Sequence, residues 1–287
     1  MILDRPWPLR ITWLLLPVGF VIALGPALDA SPTAAQVLVA TLAWAAWTAG
    51  LIATLVPRTL GLTVVRILAP TSLGLALWAT VASGETIGGA VAAVVAASAT
   101  VLALAPQTAD LFVNGSAYGA ERRFALRSPA ALLFGPVQIA WALVVAGALV
   151  GPLLLAHERW VLGAIATAVG FPVAAVGCRS LHQLARRWLV MVPAGLVIHD
   201  PAALTSQLFR RNTIAHLGPA PADTGALDLT AGAPGLALEM QLTQAATLEL
   251  RQRGQKPTAV HATAVMFTPS RPGAVLRGAA ERRIPVA

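Results

Sequence analysis

The chain has 287 residues, of which 57% are hydrophobic and only 11% are charged. Soluble globular domains typically carry about 25% charged residues, so much of this chain cannot face water. The composition excludes a soluble single-domain protein and predicts a multi-pass membrane protein, with length for one helical bundle and one small domain.

Six apolar segments are long enough to cross about 30 Å of hydrocarbon, which takes roughly 17–25 residues. The first resembles a secretory signal peptide, because Arg5 and Arg10 precede its apolar run. The run is longer than a usual signal core, so we expect a retained helix. Together the segments predict a transmembrane domain over residues 1–183. They cover residues 11–28, 35–56, 67–83, 87–105, 130–155 and 161–177.

Arginine is distributed unevenly between the linkers. The linkers on one side carry only Arg159, whereas ten arginines lie in or beside the segments on the other side. By the positive-inside rule, both termini and the polar segment 110–129 are predicted to be cytoplasmic. Lys256 is the only lysine, and this preference for arginine points to a GC-rich bacterial genome and hence to a bacterial plasma membrane. The ten arginines are Arg5, Arg10, Arg58, Arg66, Arg122, Arg123, Arg127, Arg179, Arg186 and Arg187.

After residue 177 the sequence pattern changes from long apolar runs to short alternating ones. In residues 235–242 apolar and polar side chains alternate, which is typical of a half-buried strand. Residues 192–195 predict a tight hairpin, and Ser270 with Pro272 predicts the start of a C-terminal helix. About seven strands followed by one helix, over residues 184–287, is the order of a pleckstrin-homology (PH) barrel. The other predicted strands cover residues 188–192, 195–199, 213–217, 226–229, 246–250 and 260–267.

Two stretches of this tail carry a resemblance to known proteins. The sequences RRWLVMVPAGLVIHD (186–200) and RRNTIAHL (210–217) resemble bacterial PH-like domains that follow membrane helices. The whole chain, including VNGSAYGAERR (113–123), resembles uncharacterised multi-pass membrane proteins of actinobacteria. This resemblance implies a small, mostly-β, PH-like cytoplasmic domain with a C-terminal helix, and it implies no activity.

The polar segment 110–129 is the first candidate for a functional site. One interpretation is a phosphate-binding site with Glu121 as acid or base, since arginine forks suit phosphate. The other, which we favour, is a solvated connector whose arginines fix the topology and contact anionic headgroups. Ser116 lies outside a G-x-S-x-G elbow and has no nearby base. The candidate binding residues here are Asp110, Asn114, Tyr118, Glu121, Arg122, Arg123 and Arg127.

Four further arginines are candidates for contact with a lipid headgroup or a partner: Arg186, Arg187, Arg210 and Arg211. Because neighbouring residues of a strand point to opposite faces, only one of Arg210 and Arg211 is expected to face a given pocket. Residues 179–287 contain twelve basic and six acidic residues but few aromatic ones. Stacking platforms for nucleic acid are therefore not expected, and an anionic inner leaflet explains the charge better.

Catalytic and metal-binding patterns are not recognisable in the sequence. The five histidines form no H-E-x-x-H pair, and Cys178 is the only cysteine. The sequence lacks a phosphate-binding loop of the G-x-x-x-x-G-K-[ST] type, and the six segments contain no Asp, Glu, Lys or His, which disfavours a proton-coupled transporter. We therefore expect no catalytic residue, no metal and no cofactor.

These observations predict a non-enzymatic membrane protein whose cytoplasmic PH-like domain binds a protein partner or a lipid headgroup. The alternative is a component that handles lipids or cell-envelope precursors, with a phosphate-binding cytoplasmic edge. A membrane-embedded hydrolase needs a nucleophile and a base within hydrogen-bond reach, and the sequence brings no such pair together.

Overall fold

The structure is a computed structural model that describes residues 5–84, 86–201, 203–251 and 258–286. It contains six long apolar helices and a small, mostly-strand domain that ends in a helix. This coarse architecture confirms the predicted order of elements. The chain divides into two compact units, of which the first comprises Met1–Leu111 with Gln138–His182 and the second Phe112–Val137 with Gln183–Ala287.

The first unit is built from the long helices, each of which is long and apolar enough to cross a membrane. These segments form helices because their composition is almost entirely apolar. Apolar surroundings offer the backbone N–H and C=O groups no partners, so these groups pair with each other within the helix. Two short helices, α5 and α6, interrupt the series. The helices are α1 (Trp7–Leu28), α2 (Thr33–Leu55), α3 (Thr59–Ser83), α4 (Thr86–Leu104), α5 (Pro106–Asn114), α6 (Ala130–Leu133), α7 (Pro136–Ala156), α8 (Trp160–Leu184) and α9 (Pro272–Glu281).

The helices α3 and α8 extend furthest beyond their predicted bounds, and polar residues in these extensions find partners. In α3, which begins at Thr59 and not near residue 67, the Arg66 Nε atom donates to the Ala103 carbonyl at 3.4 Å. In α8, which continues past residue 177, His182 Nδ1 lies 2.9 Å from the Thr63 hydroxyl.

Small residues allow the helices of the first unit to approach closely. A Cβ added to Gly88 would collide with Ile22, and one added to Gly147 would collide with the backbone of Gly170. Trp13, which is 1% exposed, lies against Gly50. Such contacts are the usual basis of helix association where water supplies no driving force.

The second unit contains two four-stranded sheets. The first has the order β1-β2-β3-β4 and is antiparallel throughout. The second has the order β5-β7-β8-β6, with β6 parallel to β8 and the other pairs antiparallel. The strands are β1 (Arg122–Ala125), β2 (Trp188–Val192), β3 (Gly195–His199), β4 (Gln207–Arg210), β5 (Ile214–Pro219), β6 (Leu227–Asp228), β7 (Leu238–Leu250) and β8 (Thr258–Phe267).

The predicted hairpin at residues 192–195 is confirmed by the register of β2 and β3. The two runs at 235–242 and 246–250 belong to one strand, β7, with an irregularity between Gln241 and Ala246. Ser270 is not the N-cap of α9, since that position is Arg271. The sequence analysis missed β1 and β4.

The main difference concerns β1, which lies in the polar segment between α4 and α7. It pairs with β2 in antiparallel register, with Phe124 opposite Leu189. Residues 112–137 therefore belong to the second unit and not to the helical domain that we expected over residues 1–183. Hairpin signals in a sequence detect only strands that are close together in the chain, and β1 and β2 are far apart in sequence.

One core joins both sheets to α9. Phe124 from β1, Leu189 from β2 and Phe267 from β8 are each no more than 2% exposed, and Val275 of α9 is fully buried among them. Backbone bridges also link the sheets, from Leu126 to Pro269 and from Leu204 to Leu250. At both edge strands of the first sheet, β1 and β4, a nearby residue thus bridges to the second sheet or to the chain next to it.

Candidate functional site

The polar segment that begins at Asn114 folds into a compact loop in which several polar groups bond to one another. The Arg123 N–H donates to Asn114 Oδ1 at 2.9 Å, and its guanidinium donates to Ser116 Oγ at 3.0 Å and to Glu121 Oε2 at 3.1 Å. The Tyr118 N–H donates to the same Glu121 oxygen at 3.0 Å. We call residues 114–123 the polar loop. It brings Asn114, Tyr118, Glu121 and Arg123 together as the sequence analysis expected.

The electrostatics of the polar loop do not suit general acid–base chemistry. Burial acts to raise the pKa of Glu121, but the hydrogen bonds from Tyr118 and Arg123 and the Arg123 charge outweigh burial and lower it. Glu121 is therefore an ionised carboxylate at neutral pH, and an efficient catalytic acid or base has a pKa close to the working pH. Its contacts indicate a structural role.

The outer surface of the polar loop is attached to the C-terminal helix. Arg122 forms an exposed ion pair with Glu281 at 3.3 Å, and Arg282 donates to the Ala120 carbonyl at 2.9 Å. Tyr118, at the tip, is 90% exposed. The polar loop is thus a fixed support that presents one aromatic side chain to the outside.

Asp110, the first candidate residue of the polar segment, lies in α5 and is 8% exposed.

Arg187 is also not available to a ligand. Its Nη2 atom lies 2.6 Å from Asp200 Oδ2, and both side chains are almost fully buried. Arg187 Nε donates to the same Asp200 oxygen at 2.7 Å, and a third contact runs from Arg187 Nη1 to the Arg127 carbonyl at 2.9 Å. This residue stabilises the core, which differs from the expectation that it faces a headgroup.

The exposed arginines do not converge on one site. Arg186 precedes β2, whereas Arg210 lies opposite Gly195, at the hairpin end of the same sheet. Five strand residues separate these ends, which is about 16 Å. Arg211 starts a 3-10 helix, Arg211–Thr213, and both Arg210 and Arg211 are exposed. Arg210 and Arg211 are therefore not neighbours within one strand, and the expectation that only one of them faces a given pocket, which assumed this, does not apply.

A row of three stacked side chains crosses the first sheet. The Arg123 guanidinium lies 5.6 Å from the Trp188 ring centre, and the His199 ring stacks on Trp188 at 4.5 Å with an interplanar angle of 24°. The sequence analysis did not find this row, because its strand β1 was not predicted. Neighbouring strands put these residues side by side.

The surroundings of His199 in the stacked row favour the neutral form of its imidazole. His199 Nδ1 bonds to Ser206 Oγ at 2.7 Å, and within the described residues its buried Nε2 atom has no hydrogen-bond partner. Burial lowers the pKa of His199, the charges of Arg186 and Arg123 lower it further, and Asp200 opposes them. A proton on Nε2 would add a buried donor without an acceptor, which costs free energy.

The first unit contains a cavity of about 390 Å³ between α1, α2 and α3. Its walls are apolar and include Trp13, Trp44 and Leu75, and Asp29 and Gln36 lie at one end. Pockets for small ligands have volumes of about 300–1,000 Å³ and are mostly apolar with a few polar groups. This cavity therefore has the size and character of a site for an amphiphile.

Within the residues that the structure describes, no group of three His, Cys, Asp or Glu side chains is arranged to hold a metal ion. The chain matches no protein-family model, no curated protein and no solved structure.

Proposed function

We propose that this chain is a non-enzymatic, multi-pass protein of the bacterial plasma membrane with both termini in the cytoplasm. In this proposal the six long helices anchor a PH-like β-domain, which binds a lipid headgroup or a protein partner at the cytoplasmic face. The resemblance to actinobacterial multi-pass proteins agrees with this assignment but supplies no activity.

The pairing of β1 with β2 is the observation that carries the proposal. β1 follows the fourth long helix and β2 follows the sixth, and the two strands are hydrogen-bonded over four residue pairs. Two long helices lie between them, and an even number of crossings returns a chain to the same side of a bilayer. All six helices can therefore cross the membrane while β1 and β2 remain on the same side of it.

The orientation rests on the arginines. Ten arginines lie in or beside the segment ends on the side of the β-domain, and the opposite linkers carry Arg159 alone. Cytoplasmic linkers are enriched in Lys and Arg, which favours a cytoplasmic β-domain.

The PH-like assignment rests on element order. Two four-stranded sheets followed by a helix whose Val275 fills the shared core are typical of PH-like barrels. Two features depart from that pattern: β6 pairs in parallel with β8, and β1 reaches the sheet from between two membrane helices.

An interaction role is favoured over catalysis by the state of the polar groups. The carboxylates of Glu121 and Asp200 are each bound to an arginine. Exposed groups suited to a partner remain on the surface, namely Tyr118 and the guanidinium groups of Arg186, Arg210 and Arg211. Tyrosine and arginine are the residues that most often dominate binding interfaces.

The topology is tested with a tag at Ala287, which lies outside the described residues. We expect an impermeant reagent to label the tag only after the cells are opened. Labelling in intact cells would contradict the cytoplasmic assignment, and a tag in the loop at residue 158 gives the matched outside control.

The binding role is tested by replacing Tyr118 with a photo-crosslinking amino acid in living cells. We expect a covalent adduct, with a small mass increase for a lipid or a large one for a protein partner. Gln244, an exposed residue of β7, is the control position. Equal crosslinking at both positions would contradict a specific surface at the polar loop.

The cavity between α1, α2 and α3 favours a second candidate function, the handling of lipids or envelope precursors. If it holds an acyl chain, the purified protein retains lipid, and Ala43→Trp, which fills the cavity, lowers the amount. Ala90→Trp places the same side chain at an exposed position of α4 and serves as the control. Equal lipid content in both variants would remove the support for this candidate.

A further inference from the structure

Two exposed apolar side chains of the β-domain lie on segments that are hydrogen-bonded to each other. Phe134 is 82% exposed and Leu236 is 53% exposed. The Ala130 N–H donates to the Gly232 carbonyl at 3.2 Å. Ala130 is also the residue at which the fifth candidate span, Ala130–Ala156, begins. The loop between β6 and β7, residues 229–237, is therefore attached to α6, the short helix that precedes the long helix α7.

This β6–β7 loop has a fixed shape. Its first residues, Leu229 and Thr230, are buried, and the Thr230 N–H donates to Asp228 Oδ1 at 2.7 Å. Ala231 and Gly232 both adopt left-handed backbone conformations, with φ of 52° and 71°. Leu236 follows this turn with its side chain 53% exposed.

A cation lies next to Gly235, the residue that precedes Leu236 in the chain. The Arg127 guanidinium packs against Gly235, where an added Cβ would come within 3.1 Å of Cζ. The Arg127 backbone is held on both sides, since its N–H donates to the Thr268 carbonyl and its own carbonyl accepts from Arg187. Gly235 has φ of 111°, so both its conformation and its lack of a side chain make room for the guanidinium.

The depth of this region in a bilayer follows from the length of α7. Its 21 residues rise about 32 Å at 1.5 Å per residue, which matches the hydrocarbon thickness of about 30 Å. The hydrocarbon boundary then falls near Pro136, because the positive φ of Gly135 separates α6 from α7. The turn of α6 lies in the headgroup layer, and the β6–β7 loop bonded to Ala130 lies at the same depth.

From this arrangement we propose that the β6–β7 loop is a membrane-contact loop of the β-domain. Leu236 and Phe134 insert at the boundary between headgroups and acyl chains, and Arg127 binds the phosphate of an anionic phospholipid. An apolar tip beside an arginine is the combination that such an interface favours. The inference rests on the proposed membrane function and names the surface through which the domain meets lipid.

The test uses the full chain in lipid nanodiscs, in a Cys178→Ser background with a single cysteine for a fluorescent probe. Probes are placed at Leu236, at Val169 of α8, and at Gln244 of β7, and quenching is measured with lipids spin-labelled near the top and with lipids spin-labelled near the end of the acyl chain. We expect quenching at Leu236 and Val169 and none at Gln244. Quenching at Val169 alone would overturn the contact loop and leave the membrane spans intact. The absence of quenching at Val169 would overturn the membrane function itself.

The role of Arg127 is tested with the same probe at Leu236. We expect stronger quenching in bilayers that contain phosphatidylglycerol than in phosphatidylcholine alone. This difference disappears in Arg127→Gln and persists in Arg127→Lys, and an unchanged elution volume shows that both variants are folded. A difference that survives in Arg127→Gln would exclude Arg127 as the phosphate ligand. Crosslinking of Leu236 to a protein in cells, without lipid quenching, would assign the loop to a protein partner and overturn the proposal.

Discussion

Arg187 and Asp200 form an ion pair inside the β-domain, with 2.6 Å between Nη2 and Oδ2 and side chains that are 4% and 1% exposed. The pair links the start of β2 to the end of β3. Arg187 also donates to the Arg127 carbonyl, so the same guanidinium fixes the chain that follows β1.

Removal of one partner of this pair is expected to destabilise the protein strongly. Asp200→Ala leaves a buried guanidinium without its counter-ion, which typically costs about 3–5 kcal/mol. The exposed pair Arg122–Glu281 is the matched control, because such pairs contribute about 0–1 kcal/mol. Thermal unfolding of the purified protein measures both. Equal effects of Asp200→Ala and Glu281→Ala would show that the buried pair is not a main support of the domain.

The stability of the β-domain is expected to fall below about pH 6.5 because of His199. Its pKa is lowered in the folded protein, by burial first and then by Arg186, with Asp200 opposing. As the pH falls through the ordinary value of 6.5, the unfolded chain binds a proton that the folded chain does not, so the free energy of unfolding decreases. Above about pH 6.5 the His199 side chain is neutral in both the folded and the unfolded chain, so it does not change the free energy of unfolding.

Unfolding temperatures measured between pH 8 and pH 5 check this expectation. The decrease on acidification should be smaller in His199→Gln than in the wild type. Identical pH profiles for the two proteins would rule out His199 as the group responsible.

Close packing of α1 on α2 is expected to depend on Gly50. An added Cβ would overlap the indole of Trp13, and this indole cannot move freely because its Nε1 atom donates to the Trp47 carbonyl at 2.9 Å. Gly50→Ala should therefore cost about 1–3 kcal/mol, the usual effect of overpacking. Gly74→Ala is the control, since no atom lies within 4 Å of the added Cβ. A Gly50 variant as stable as the Gly74 variant would contradict the packing of Trp13.

The β-domain is expected to fold alone only if β1 is supplied. A fragment of residues 183–287 lacks Phe124 and Leu126, and loss of one buried Phe side chain alone typically costs about 3–5 kcal/mol. The Leu126 N–H donates to the Arg187 carbonyl at 3.0 Å, so residues 114–128 can be joined to residue 183 by a short glycine-rich linker. The fused fragment should give dispersed amide NMR signals, and the fragment without β1 should not. Dispersed signals from both would show that β1 is dispensable.

The sequence predicts those features that depend on local composition or on neighbours in the chain. The six long helices follow from apolar length, and the β2–β3 hairpin follows from Pro193 and Gly195 between two alternating runs. The pairing of β1 with β2 could not be predicted in this way, because Phe124 meets Leu189 only after two intervening helices. Four residues beginning with two arginines also give too short a pattern to indicate a strand.

In the candidate site, too, contacts between residues close in the chain could be predicted, whereas contacts that depend on distant residues could not. Proximity along the chain predicted that Asn114, Glu121 and Arg123 lie together. It could not predict that Arg187 turns inward, since a basic residue next to a membrane segment suggests an exposed group, and its partner Asp200 becomes a neighbour only when the hairpin forms. The stacked row of Arg123, Trp188 and His199 depends on the unpredicted strand as well.

The separation of β1 from β2 also sets an order of events during synthesis. Ala125 and its partner Trp188 are about 60 residues apart in sequence, which a ribosome translates in roughly 3–12 s. Over that interval the nascent β1 has no neighbour, and its two arginines disfavour pairing with foreign strand edges. The first sheet can therefore close only after both intervening helices, α7 and α8, have been synthesised.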